Sequence, residues 1–507
     1  MKDKIKFLVL PFFLMGAKSV QESKPSRLVV YTSSYDVKPY DQKASANSIF
    51  TFSHAVFGQP IYISQDYNLT PGLLRDWKWD YSRNRYVLKV DTSKKFHTGR
   101  SISAQDFEFM IVKSFLSSVK LLEKKWLLNV KGIGDLKQGQ KYKSGMVEGI
   151  KVVDQETLEI VPENYDPSLL YTLAKSIPSL TPIEEMADDL VNFKNSPVGA
   201  GDYKVIWSDP NSSTVRLAKV DKNRNGPDEV DLVSGGELAK LKPDIVMGGI
   251  GIRGTPLEKE FRVLSTEVPS SVSVIDFNYK TPSGSNPLFR KMVATALDRD
   301  FINKDRPTSK STNEILPEIF WGRINAESKY NPEKAIGYFK ALPKDQQEMT
   351  HTILFHGPVG KVPDYIKRTK ECFDKIGLKT NFVQTSIVGL GDAESKVSMM
   401  VYGSVAEFQD PLNLFSAYNN NSSRPYQHPE RDPEFQKLYD AAFKAANQSE
   451  KVNAIKKLSQ YFYDKDIAVP IAENRIPVFV TSRILSIGKQ YLGSALDLEQ
   501  IQIDKGL

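Results

Sequence analysis

Along the chain, short runs of apolar or alternating positions give way repeatedly to longer stretches where apolar residues recur every three or four positions. The first spacing belongs to strands, whose side chains repeat every two residues, and the second to helices. Leu28–Tyr31 is a short apolar strand, and Arg85–Val90 alternates with Tyr86, Leu88 and Val90 on one face. Ser103 followed by Asp106 is a helix start, with Phe107, Met110, Ile111, Phe115 and Val119 as its apolar stripe. Gly149–Val161 reads as a hairpin turning at Asp154-Gln155. Asn286-Pro287 and Asn331-Pro332 each pair a capping side chain with a proline at the first helical position; Leu288, Met292, Ala296 and Leu297 then face inward. Gly377 ends the helix that carries Cys372, and Leu378–Val383 resumes as a strand. Asp432-Pro433 and Ser449 open two more helices, and Ile467–Ile471 is a buried strand. Strand and helix alternate almost to the end with no repeat and no long linker, which predicts an α/β fold.

The first residues follow a different rule. Met1–Lys6 carries positive charge, and residues 7–17 are an apolar run of eleven. As a helix that run would reach about 16 Å, too short for a bilayer core of about 30 Å. It reads as a secretory signal peptide over residues 1–17, processed near Ala17.

Composition narrows the chemistry. A chain of 507 residues, 40% hydrophobic and 25% charged, is globular, and at roughly 100–200 residues per domain it should hold more than one. Its 68 basic residues are interleaved with 61 acidic ones, so the net charge of +7 forms no nucleic-acid patch. One cysteine, Cys372, excludes an intramolecular disulfide and a cysteine-rich zinc site, and its helical stripe with Tyr365, Ile366, Phe373 and Ile376 reads as core. His351 and His356 lie five apart on a strand and so point to opposite faces, and no HExxH occurs; no metal and no cofactor is expected. Gly249, Gly251 and Gly254 follow a strand-like DIVM and precede a helix start at Thr255-Pro256. That helix is too short for a nucleotide-binding unit of about 30 residues, and the glycines read as a turn. A glycosidase pair would need two carboxylates at a set separation, and Asp76, Asp106, Asp298, Glu407 and Asp410 are scattered.

The order of the patterns says more than any one of them. Residues 69–109 place Pro71, Leu74, Trp77, Tyr86, Leu88, Phe96, His97, Gly99, Ala104, Asp106 and Phe107 in sequence. There follow SPVGAGDYKV (196–205), NPLFRKMVATALDRDFIN (286–303), NPEKAIGYFKAL, IGLKTNFV, AEFQDPLNLF, and DPEFQKLYDAA through VPIAEN. This series resembles extracytoplasmic solute-binding proteins of the oligopeptide/dipeptide/nickel-type ABC transporters (family 5), over essentially the whole mature chain. Three features depart from that pattern. Gly58 stands where the family has a Glu in its early helix, and Leu14–Ala17 carries no lipobox cysteine, which speaks against a lipid anchor. The stretch from Asn225 to Ser270 is also compressed.

The resemblance implies the two-lobed, type II periplasmic-binding-protein-like fold of the large peptide-binding class. Lobe one would comprise residues 18–273 and 478–507, with an extra subdomain near 46–185; lobe two would be 274–477. The chain would cross between lobes at Val274–Phe277 and Ile476–Val480. A non-enzymatic periplasmic protein is implied, a monomer that encloses a peptide or other small solute and hands it to an inner-membrane ABC permease. The same resemblance leaves open a ligand-sensing partner of a membrane receptor, and a non-peptide solute such as a nickel chelate or an oligosaccharide. An exported hydrolase is the remaining class. In oligopeptide-binding members an Asp in a lobe-two turn takes the peptide ammonium. Glu407 matches that place, and Asp410 is the fallback. Thr32, Ser33, Ser34 and Tyr35 after the first strand, Tyr402 and Gly403 before the acidic turn, and Asn278 and Tyr279 beyond a crossing complete the expected substrate-binding set. Trp77, Phe96, His97 and Asp106 are expected to be core and turn residues.

Overall fold

The computed structural model describes residues 26–33, 47–64, 68–118, 127–164, 168–174, 179–208, 213–235, 238–248, 252, 255–265, 269, 271–356, 362–385, 396–405, 411–416, 418, 432–445, 447–490 and 496–504. Three sheets of four or more strands organise them, beside two two-stranded ones. In the seven-stranded sheet, Arg27–Ser33 is central and parallel to both Glu229–Ser234 and Ile245–Met247. Thr214–Lys219 and Tyr203–Ser208 extend it antiparallel on one side, Pro477–Val480 and Arg262–Ser265 on the other. Alternation sets the two faces. Leu28 and Val30 meet Phe52, Val56 and Phe57 of the helix Asn47–Phe57, while Tyr31 and Val233 meet Leu238 and Ile252. Gly58, at φ 73, ends that helix in the left-handed conformation glycine adopts without strain.

The six-stranded sheet runs in the order Ser309–Ser311, Ala468–Asn474, Ser271–Phe277, Val397–Val405, His351–His356, Thr380–Thr385. The last three strands are mutually parallel and the rest antiparallel. Ile275, Phe277, Ile353, Phe355, Met399 and Val401 pack under the helices Pro287–Ala296 and Asp364–Lys375, whose Cys372 is buried as expected. Val272 and Val274 face the opposite way, toward Phe415, Phe435 and Phe462. The third sheet is a four-stranded antiparallel unit of Leu74–Asp80, Arg85–Val90, Thr157–Ile160 and Ile150–Val152, closed by the helix Ala104–Leu116.

Local signals were obeyed closely. Asn286, Asn331 and Asp432 each accept a backbone N–H in the first turn of the helix they open. Two starts differ. The helix expected at Ser449 is Gln448–Lys465 and its cap is Asn447, whose amide accepts from Glu450. The helix expected after Gly254 is one 3₁₀ turn, Pro256–Glu260, which removes any phosphate-binding helix N-terminus there. The first sheet change also falls early. The chain leaves the seven-stranded sheet at Ser265 and enters the six-stranded one at Ser271, so residues 271–273 belong with the latter. The second change lies between Asn474 and Pro477.

Buried histidine gives a pH expectation. His351 is fully buried between the Gln346 carbonyl, 2.9 Å from Nε2, and the Ser398 hydroxyl, 3.3 Å from Nδ1; burial lowers its pKa below the ordinary 6.5. A depressed folded pKa means the unfolded chain binds the proton first. Its stability contribution is present above about pH 6.5 and is lost as pH falls below it. His54 and His97 shift in the same direction, while Asp497, raised to about 6 by burial, acts in the opposite one. His351→Gln should flatten, without abolishing, the fall of melting temperature between pH 7.5 and about 5. An unchanged slope would remove His351 as a cause.

Candidate functional site

The registers of the two larger sheets converge on one place. In the seven-stranded sheet the parallel strands end at Ser33, Ser234 and Met247, and Met247 pairs with Val478 while Gly248 N–H donates to the Pro477 carbonyl at 2.9 Å. In the six-stranded sheet the parallel strand Val397–Val405 ends beside Ser271, which is paired in turn with Asn474. The carboxyl ends of both parallel sets therefore abut the crossing from Asn474 to Pro477. Three residues span at most about 11 Å. In open α/β sheets ligands bind in the crevice beyond the carboxyl ends of the strands. Here the carboxyl ends of two parallel sets adjoin one short crossing.

The expected site residues divide on this geometry. Tyr402 is half-buried and Gly403 exposed, both on the strand Val397–Val405 within three residues of its carboxyl end. Tyr402 is held from behind: its hydroxyl is bonded to that of Tyr418, which donates to Asp276 Oδ1 at 2.7 Å. Burial beside Asp276 pushes the Tyr418 phenol well above its usual range. Ser33 closes its strand at the crevice end, but Thr32 is fully buried, with its hydroxyl 3.1 Å from that of Ser234. Thr32 thus ties two parallel strands together and offers nothing to a solute. Ser34, Tyr35, Glu407 and Asp410 lie outside the described residues.

Asn278 is a correction. The strand Ser271–Phe277 runs away from the crossing, so Asn278 follows its far end, beside Ser398. There its amide donates to the Val397 carbonyl at 2.9 Å and accepts from Lys280 N–H at 3.1 Å, which closes a turn. Tyr279 is used locally too, its hydroxyl donating to the Ile467 carbonyl at 3.0 Å. Sequence proximity to a crossing had suggested both residues; strand direction removes them.

One group at the crossing was missed. Asn474 donates to Ser273 Oγ at 2.9 Å and accepts from Ser309 Oγ at 2.9 Å and Arg306 at 3.2 Å, while Arg475 N–H donates to the Thr308 carbonyl at 2.8 Å. The crossing is anchored to the six-stranded sheet up to Arg475. An Asn closing a buried strand is the local hint of this, and it fits many turns equally well.

The signature residues hold structure. Asp106 accepts the Ser103 backbone N–H at 2.9 Å and two bonds from Arg100, at 3.0 and 2.7 Å. His97 Nε2 lies 2.9 Å from the Gly201 carbonyl, and His97 N–H donates to the Gly199 carbonyl at 2.9 Å. Buried carboxylates elsewhere have partners: Asp231 with Arg27 and Arg216, and Glu473 with Arg323 at 2.6 Å. Among the described residues no three His, Cys, Asp or Glu side chains gather as a metal ion would require, and no helix is long and apolar enough to cross a membrane.

Residues 68–425 match the family described as bacterial extracellular solute-binding proteins, family 5 Middle. The chain belongs to this family. Solved structures share the fold at low identity. OppA of Haemophilus influenzae, in complex with RPPGFSPFR, aligns at TM-score 0.70 and 15% identity over 95% of this chain and 99% of its own. A dipeptide-binding protein from Pseudoalteromonas sp. SM9913, in complex with Met-Leu, aligns at 0.71 and 17% over 94% and 100%. AgaA of A. tumefaciens R10, in complex with agropinic acid, aligns at 0.69 and 17% over 94% and 99%. No curated protein matches the chain. The fold is that of type II periplasmic binding proteins, and the family is one of binding proteins that work outside the cytoplasm.

Proposed function

We propose that this family 5 protein captures a peptide or similar small solute in the crevice between its two larger sheets and delivers it to an ABC-type permease, without chemistry on the solute. The observation that carries the reading is the meeting of both sets of parallel-strand carboxyl ends at the Asn474–Pro477 crossing. A solute there touches both halves at once, and only such contacts favour a closed form over an open one. The seven-stranded sheet, with the four-stranded unit, serves as lobe one and the six-stranded sheet as lobe two, with rotation taken up just after Arg475 and between Ser265 and Ser271. Peptide ligands of the OppA and dipeptide-binding neighbours favour a peptide, and the agropinic acid of AgaA marks the alternative of a small non-peptide anion. In this reading Tyr402, Gly403 and the segment after Val405 line the lobe-two side, with Glu407 receiving a peptide ammonium and Asp410 as its substitute. Ser33, Ser34 and Tyr35 line the other side. The protein acts in the periplasm as a monomer after removal of residues 1–17.

Native mass spectrometry of the protein as purified tests this. A set of co-purifying peptides released on unfolding is the expected result. A single non-peptide adduct would move the reading to another solute. A protein that stays free of adducts and binds none of a peptide library would overturn it.

A further inference from the structure

The four-stranded unit carries a loop whose chemistry neither the crevice nor the fold requires. Residues 136–147 contain Lys137, Lys141 and Lys143 and no carboxylate. The loop has a built conformation. Glu108, fully buried on the helix Ala104–Leu116, accepts the Tyr142 hydroxyl at 3.0 Å, the Ser144 hydroxyl at 2.6 Å and the Gly145 N–H at 2.7 Å. Gly139 N–H donates to the Leu116 carbonyl at 2.8 Å, and the Tyr142 ring meets Phe109 edge-on at 5.0 Å. Tyr142 is thus pinned inward, and its neighbours Lys141 and Lys143 are exposed, as is Lys137.

Many cations of this unit are answered by carboxylates: Arg75 by Glu156, Arg83 by Asp80, Arg85 by Glu159, Arg100 by Asp106 and Lys131 by Glu148. Lys137, Lys141 and Lys143 have no such partner among the described residues. Of the flanking acids, Glu148 is already taken by Lys131 at 2.6 Å, which leaves Asp135. The structure therefore holds three exposed ammonium groups on a fixed loop with Asp135 as the one flanking carboxylate not already paired among the described residues.

We propose that this loop docks the protein electrostatically on an anionic lipid bilayer. Flexible lysine point charges on an exposed loop suit a fluid array of headgroups, whereas planar recognition of fixed carboxylates would favour arginine. Each basic side chain at such a surface multiplies partitioning about fivefold, so three give about a hundredfold at low ionic strength. This idea is independent of which solute the crevice takes.

Co-sedimentation with vesicles tests it. The full chain should pellet with vesicles of mixed phosphatidylglycerol and phosphatidylcholine, stay in solution with phosphatidylcholine alone, and be released by high salt. The triple variant Lys137→Gln, Lys141→Gln, Lys143→Gln should bind about a hundredfold more weakly while melting at the same temperature. A control, Lys222→Gln, Lys259→Gln, Lys444→Gln, removes as much charge from exposed positions elsewhere and should bind as the unaltered protein does. Absence of binding to the anionic vesicles overturns the proposal, and so does equal loss in both variants, which would mean net charge alone. Retention on a poly-glutamate column without vesicle binding would assign the loop to an acidic protein partner instead.

Discussion

Glu407→Gln should weaken binding of a peptide with a free amino terminus by about 30-fold to several thousand-fold. Where Glu407 receives the peptide ammonium, as proposed, the variant keeps the side chain's size and loses its charge, so the ammonium is enclosed without a counter-ion. Removing one member of a buried, hydrogen-bonded charge pair costs roughly 2–5 kcal/mol, and each 1.4 kcal/mol is a factor of ten in affinity. Acetylating the peptide amine should weaken the unaltered protein similarly and the variant far less, because one interaction can be lost only once. Calorimetry on the four combinations is the measurement. If the two losses add, or if the variant binds normally, Glu407 does not hold the amine, and Asp410 is the next carboxylate to test.

A large effect on stability is expected at Gly199. A Cβ there would lie 2.2 Å from the Val56 carbonyl oxygen and 2.4 Å from Phe57 Cα, both backbone atoms that cannot swing aside. The loop sits at a junction. Gly201 N–H donates to the Val56 carbonyl at 2.9 Å and His97 N–H to the Gly199 carbonyl at 2.9 Å, while Phe57 stacks on Phe193 at 5.8 Å. Gly199→Ala must push the end of the helix Asn47–Phe57 away from the His97 turn and loosen both. We expect a loss of about 3 kcal/mol or more, seen as a lower urea midpoint. Gly337→Ala is the contrast, since nothing lies within 4 Å of a Cβ at that position in the helix Pro332–Ala341. It should leave the midpoint unchanged or raise it, by up to about 1 kcal/mol. A Gly199→Ala protein as stable as the parent would show that the junction yields more easily than its contacts imply.

The same junction shows why the family pattern was legible. Of that pattern it holds His97 and Gly199–Gly201, about 100 residues apart, yet each is demanded by a steric or hydrogen-bonding condition that few residues meet. Such positions keep a recognisable order. The ligand-facing positions carry no comparable condition, and Tyr402 or Ser33 could serve equally well as ordinary strand residues.

By itself the sequence determined the α/β class, the helix starts at Ser103, Asn286, Asn331 and Asp432, the buried state of Cys372 and the family. These rest on periodicity and on caps that act within three residues, so a local reading suffices. Only the tertiary structure decided which candidate residues stand near the crossing between the sheets. It turned Asn278 to the far end of its strand, buried Thr32 against Ser234, and braced Tyr402 through Tyr418 on Asp276, 142 residues away in sequence from Tyr418. It also placed Asn474 as the anchor of the crossing. Strand direction and pairing across hundreds of residues are set by how whole faces are buried together, and no window of local sequence contains that information.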